Sequence, residues 1–198
     1  MLSAEARSSG KTMTSIARLD GNADDSRLAR LLDVEQILRD VLPGREPDIT
    51  KATVGRINIA RGAKILAADD SGVARSLIEQ SLTAMGLPFI IAKTGLESWN
   101  TLKAAEKRAH ASGLAVSDEI ALALTDLEMP EMDGFTLTRK IKGNAALRSI
   151  TVVIHSSLTG SANEEHVSKV GADAYISKFV VQELVTVLCE TLGQGMAA

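Results

Sequence analysis

Five residues in this chain have types and positions suited to shared chemistry: the pair Asp69-Asp70, then Asp126, Ser156 and Lys178, each placed at the end of a short apolar run. If those runs are strands of an open parallel sheet, their carboxyl ends lie side by side and distant residues converge on one spot. Three carboxylates crowded together repel one another and raise each other's pKa unless a cation sits among them. Hard oxygen donors select Mg²⁺, which keeps several waters and takes one or two carboxylates plus phosphate oxygens. Such a cation would screen an anionic phosphoryl donor, while Lys178 and the Ser156 hydroxyl hold further oxygens of the transferring group. Asp126 is then the expected nucleophile, because an aspartyl carboxylate can form an acyl phosphate.

Taken singly, each residue has a plainer reading. An acid pair is commonly a helix cap and solvated turn, Asp126 could begin a turn, Ser156 could cap a helix, and a lysine near a strand end is usually a surface charge. The joint placement at successive run ends is what favours chemistry.

The elements that must position these residues are legible from residue 64 onward. Continuous apolar runs at 65–68, 88–92, 120–124, 150–154 and 174–176 alternate with segments of helical length. Strands apolar on both faces and separated by helices imply a parallel sheet covered on two sides, so an α/β, doubly wound (βα)5 fold is expected over 64–192. Ser71, and Ser161 with Glu164 three residues later, read as helix starts, and Gly86 as a helix stop. The segment 1–30, rich in Ser, Ala, Gly, Asp and Arg, is expected to be a flexible tail. In 31–43, Leu31, Val34, Leu38 and Val41 share one helical face, and Asp33 with Gln36 has capping-box spacing, so a short amphipathic helix is expected there. Residues 44–63 read as a linker and 193–198 as a tail.

Bulk composition narrows the function classes. The 198 residues are 45% hydrophobic and 24% charged with a formal net charge of -3, the profile of an ordinary globular protein with no bias toward nucleic acid. The single cysteine, Cys189, cannot form an internal disulfide and reads as a small packing residue. No apolar run is long enough for a membrane span and no secretory signal is evident, so a cytoplasmic location is expected. His110, His155 and His166 lack metal-ligand spacing and read as surface or strand residues.

The stretches KILAADDSGVARSLI, LALTDLEMPEMDGF, VVIHSSLTG and GADAYISKF resemble the receiver domain of two-component response regulators. The resemblance implies a flavodoxin-like strand order 2-1-3-4-5 and phosphorylation of Asp126 by a histidine kinase. It also implies Mg²⁺ held by Asp69, Asp70, Asp126 and the backbone carbonyl of Glu128. Relay would run through Ser156 and a switch aromatic at Tyr175, and slow self-dephosphorylation is expected rather than enzymatic turnover. EMPEMDG, HSSLTG and Lys178-Phe179, where most receivers have Lys-Pro, are similar to the receiver half of CheV-type chemotaxis coupling proteins. RLARLLDVEQILRDVLP resembles the closing helix of the CheW-like domain that precedes that receiver. This narrower resemblance implies a CheA-type kinase and chemoreceptor array components as partners. Residues 1–30 are too few for the barrels of a coupling domain, so most of that domain is absent from this sequence. A further departure is the stretch 100–118, which lengthens the second helix region and is expected to lie away from the pocket.

The expected output is protein binding, as adaptor or phosphate sink, since no helix-turn-helix pattern follows Leu192. Two rivals stay open. An aspartyl-nucleophile phosphohydrolase would place a second Asp two residues after the nucleophile, where this chain has Glu128. A non-catalytic scaffold would leave the pocket vestigial.

Overall fold

The computed structural model describes residues 13–18, 28–32, 57, 59–157, 167, 169–178 and 180–193. The chain divides into two compact units, Met1–Arg45 and Glu46–Ala198.

In the first unit, β1 (Met13–Arg18) pairs antiparallel with β2 (Leu28–Leu32), Ile16 opposite Arg30 and Ala17 opposite Ala29. This departs from the flexible tail expected over 1–30, and Leu31 and Leu32 are strand rather than the start of a helix. The physical reason is pairing: two short segments that carry no amphipathic period can still satisfy their backbone N–H and C=O groups against each other. Residues 33–43, the rest of the expected helix, lie outside the described residues, as do 194–198.

The second unit is built on five parallel strands, β3 (Lys64–Ala68), β4 (Phe89–Ala92), β5 (Ile120–Asp126), β6 (Thr151–Ser156) and β7 (Ala174–Ser177). Their order is β4-β3-β5-β6-β7, which is 2-1-3-4-5 counted within the sheet, as expected. The helices are α1 (Gly72–Ala84), α2 (Gly95–Ser112), α3 (Gly134–Gly143) and α4 (Val181–Gly193).

Alternation along each strand sends neighbouring side chains to opposite faces. Leu66, Ala68 and Ala123 pack with Leu102 of α2 and with Leu137 and Ile141 of α3. Ile65, Ala67, Leu122 and Leu124 pack instead with Ile78 and Leu82 of α1 and Leu184 and Leu188 of α4. Each such Leu or Ile fully withdrawn from water contributes about 1.5–3 kcal/mol, which is why runs apolar on both faces become central strands. Ile57 and Ile59 also pack against the second cluster, so the end of the expected linker is part of this unit. Their burial offsets the entropy of ordering that segment.

Local signals set the helix ends. Ser71 caps α1 by accepting the Ala74 N–H, and Gly86, at φ +70°, takes the left-handed turn that leads into β4. Residues 100–118 continue α2 to Ser112 and then form a 3₁₀ turn, Val116–Asp118. That turn feeds the amino end of β5, opposite the end that bears Asp126. No helix among the described residues is long and apolar enough to cross a membrane.

Candidate active site

The carboxyl edge of the sheet gathers the residues singled out from the sequence. Asp69 follows the last residue of β3, is fully buried, and its Oδ1 accepts the Ser71 N–H at 2.8 Å. Asp70 beside it is exposed. Arg75, one turn into α1, ties both residues down by donating Nη1–H to the carbonyls of Asp69 at 2.8 Å and Asp70 at 2.7 Å. A cationic donor on two carbonyls is a charge-assisted clamp on the loop that carries the acid pair.

Asp126 closes β5 and is buried. Ligand oxygens of Asp69, Asp70 and Asp126 lie within 4.8 Å of one another. The loop after Asp126 returns tightly: Gly134 N–H donates to the Leu127 carbonyl, and a Cβ on Gly134 would stand 2.2 Å from the Asp126 carbonyl oxygen. Only glycine allows α3 to begin so close to the nucleophile strand.

Lys178 extends the ladder beyond β7 by donating its backbone N–H to the Ser156 carbonyl, at 2.9 Å. Its ammonium then reaches 2.8 Å from Asp126 Oδ2 and 3.1 Å from Asp69 Oδ2. These are ion-pair distances, yet neither oxygen has a partner aligned as a hydrogen bond. Two buried carboxylate oxygens, an exposed third carboxylate and no aligned donor make a set of hard ligands that suits Mg²⁺.

The electrostatics follow from burial. Desolvation raises the Asp69 carboxyl above the usual range, opposed by Lys178 and by the hydrogen bond from Ser71. Desolvation also raises Asp126, the nearby Asp69 charge adds to it, and Lys178 opposes it. Burial pulls the Lys178 ammonium down, but contact with Asp126 and Asp69 outweighs this and raises it overall.

Ser156 ends β6 and is buried. Tyr175 on β7 sits opposite Ile154 in register and packs, half-buried, against Leu127, Ile154 and Val167. Glu128 is exposed and lines an open cleft with Asp70, Pro130 and Phe135. His110 is exposed on α2, and His166 lies outside the described residues.

His155 lies on β6, a strand residue as read from the sequence, but its place beside the acidic centre was not foreseen. It pairs in register with Asp126 on one side and Ile176 on the other, and only 4% of it is exposed. Its Nε2 lies 3.6 Å from Asp69 Oδ2. Burial pushes its pKa down to about 4, so the ring is neutral near pH 7. Metal-ligand spacing could not find it; its place next to Ser156, at the level of Asp126 in a parallel ladder, could have.

This geometry agrees with the known proteins the chain matches. Residues 65–188 match the response regulator receiver domain. The chain belongs to the response regulator receiver family. Residues 65–188 are therefore a receiver domain and not a conventional enzyme. The chain is 32% identical over 158 residues to the chemotaxis protein CheV1 of Helicobacter pylori, covering 78% of this chain and 46% of that protein. The chain thus spans about half the length of that chemotaxis relative. Among solved structures, a receiver domain of a Syntrophus aciditrophicus signal transduction histidine kinase superposes with a TM-score of 0.56 at 25% identity, covering 69% of this chain and 95% of that one. The receiver domain of the Arabidopsis thaliana histidine kinase CKI1, solved in complex with Mg²⁺ and BeF₃⁻, superposes with a TM-score of 0.59 at 24% identity, covering 67% and 91%.

Proposed function

We propose that this receiver is a phosphoacceptor module of a chemotaxis phosphorelay, phosphorylated on Asp126 by a CheA-type histidine kinase and acting through protein binding as adaptor or phosphate sink. The observation that carries it is one ammonium, Lys178, spanning two buried carboxylates at the end of the sheet. That arrangement holds a cation where an anionic group must arrive.

Asp69, Asp70, Asp126 and the Glu128 carbonyl would hold Mg²⁺, which when bound neutralises charge on the transferring phosphoryl group. In the transfer, an Asp126 carboxylate oxygen forms the new P–O bond as the donor's P–N bond breaks. The bonding electrons pass to the donor imidazole, which takes up a proton. Lys178 and the Ser156 hydroxyl then hold phosphoryl oxygens. The added charge of about -1.5 to -2 rearranges the packing of Tyr175 between β6 and β7. The CheV1 relative supports the chemotaxis setting and, with it, chemoreceptor array components as partners.

The test is to mix the chain with a small phosphodonor and Mg²⁺. The expected result is a one-phosphate mass increase that Asp126→Asn abolishes. Continuous phosphate release would instead favour a phosphohydrolase, and no modification a scaffold.

A further inference from the structure

β3 ends at Ala68, and the carbonyls of Asp69 and Asp70 lie beyond the registered pairs of the sheet. A backbone acceptor that leaves a ladder needs another donor. Arg75 supplies both from one nitrogen, its Nη1 donating to the Asp69 carbonyl at 2.8 Å and to the Asp70 carbonyl at 2.7 Å. The Asp69 side chain is fixed from the same turn, since its Oδ1 accepts the Ser71 N–H at 2.8 Å. Asp69 is thereby held through both its side chain and its backbone, and Arg75 ties the backbone of Asp70 to α1.

That second tie bears on the acidic centre. Ligand oxygens of Asp69, Asp70 and Asp126 lie within 4.8 Å of one another, and carboxylates so close repel. Asp69 and Asp126 are buried, so Asp70, which is exposed, is the member that repulsion would drive into solvent. Holding its backbone limits the retreat. The guanidinium also occupies both carbonyls of the acid pair, which leaves the carboxylates as the oxygens that the turn offers. Because an arginine is charged at every working pH, this hold does not lapse as the carboxylates titrate.

We propose that Arg75 is a positioning residue of the metal site: by holding the carbonyls of Asp69 and Asp70 it fixes the acid pair in a ligating arrangement, so that a divalent cation meets a preformed set of oxygens. The inference deepens the phosphoacceptor reading and rests on its metal half. Arg75 acts through the backbone of the acid pair. Its charge by itself works the other way, because a guanidinium beside the site repels a divalent cation. Position and charge therefore predict opposite signs when Arg75 is removed.

Mg²⁺ titration calorimetry on the full chain reads that sign. Arg75→Met keeps an apolar stem but neither donor nor charge, and its Mg²⁺ affinity should be about tenfold weaker, the usual loss when the outer partner of a metal ligand is removed. Unchanged or tighter binding overturns the proposal, as does a variant that is less stable to urea in metal-free buffer yet binds Mg²⁺ as the wild type does. Arg75→Lys, which keeps the charge and one donor nitrogen, should bind Mg²⁺ more tightly than Arg75→Met; the reverse order would mean that charge governs. The second arm follows phosphorylation by a small phosphodonor as Mg²⁺ is raised. Arg75→Met should need about tenfold more Mg²⁺ for its half-maximal rate and come within about twofold of the wild-type rate at saturation. A lower saturating rate with an unchanged Mg²⁺ requirement counts against the proposal. Should Arg75→Met fail to fold, Arg75→Gln, polar and uncharged on a shorter stem, takes its place under the same expectations. A wild type that binds no Mg²⁺ sinks the metal half of the proposed function and this inference with it, whereas a wild type that binds Mg²⁺ no better than Arg75→Met sinks this inference alone.

Discussion

Lys178 Nζ stands 2.8 Å from Asp126 Oδ2, so the cation that is to meet a phosphoryl group is already docked on the residue that would carry it. The lysine and a metal ion therefore draw on the same carboxylates. Replacing Lys178 with alanine should leave Mg²⁺ binding intact, as titration calorimetry would show, while phosphorylation falls about 100-fold, the usual loss when one preorganised electrostatic partner is removed. Loss of Mg²⁺ binding together with phosphorylation would mean that the lysine only holds the pocket together.

Burial of His155 links stability to pH. Its pKa falls from about 6.5 unfolded to about 4 folded, so below pH 6.5 the unfolded chain takes up a proton that the folded chain refuses. Stability is therefore lost as pH drops from 6.5 toward 4, by about 3 kcal/mol for this shift. Urea unfolding in metal-free buffer should show that drop in the wild type and a drop smaller by about that amount in His155→Gln. Asp69 and Asp126, with raised pKa values, act in the opposite direction in both proteins, and loss of the His155 charge raises Asp126 slightly further in the variant.

Gly134 tests the close approach of α3 to Asp126. An alanine Cβ would meet the Asp126 carbonyl oxygen at 2.2 Å, and that neighbour is backbone. Gly134→Ala should cost about 1–3 kcal/mol and also reduce phosphorylation by displacing Asp126. Gly143→Ala, at the end of the same helix with nothing within 4 Å of the added carbon, should be neutral or slightly stabilising in the same unfolding assay.

Glu128 is exposed at the mouth of the cleft beside Asp70. A carboxylate there can orient water toward an acyl phosphate on Asp126. Glu128→Ala should lengthen the phosphoryl lifetime about fivefold or more, read by the decay of the phosphorylated mass after the donor is removed. An unchanged lifetime would assign Glu128 to the surface alone.

Much of the fold was legible because its signals are local and redundant. The runs at 65–68 and 120–124 are apolar at every position, and such runs become strands wherever helices can cover both faces. Ser71 and Gly86 mark the ends of α1 through capping and a left-handed turn, which depend on their own backbone. The strand pair in the first unit was not legible, because Leu28–Leu32 fits a helical stripe as well as a strand and only its partner Met13–Arg18 decides between them. Ile57 and Ile59 were read as linker for the same reason: two isoleucines carry no period, and what buries them is a face assembled from residues far along the chain.

The acidic centre divides in the same way. Sequence alone determined that Asp69-Asp70, Asp126, Ser156 and Lys178 fall at the carboxyl ends of four strands, β3, β5, β6 and β7, since strand ends are set by local composition and parallel sheets align them. Only the tertiary structure decided how one ammonium divides itself between Asp126 and Asp69, and that His155 lies beside the second of these. Ladder register and desolvation settle such matters at a scale of tenths of an ångström, and both belong to the packed sheet rather than to any one segment of chain.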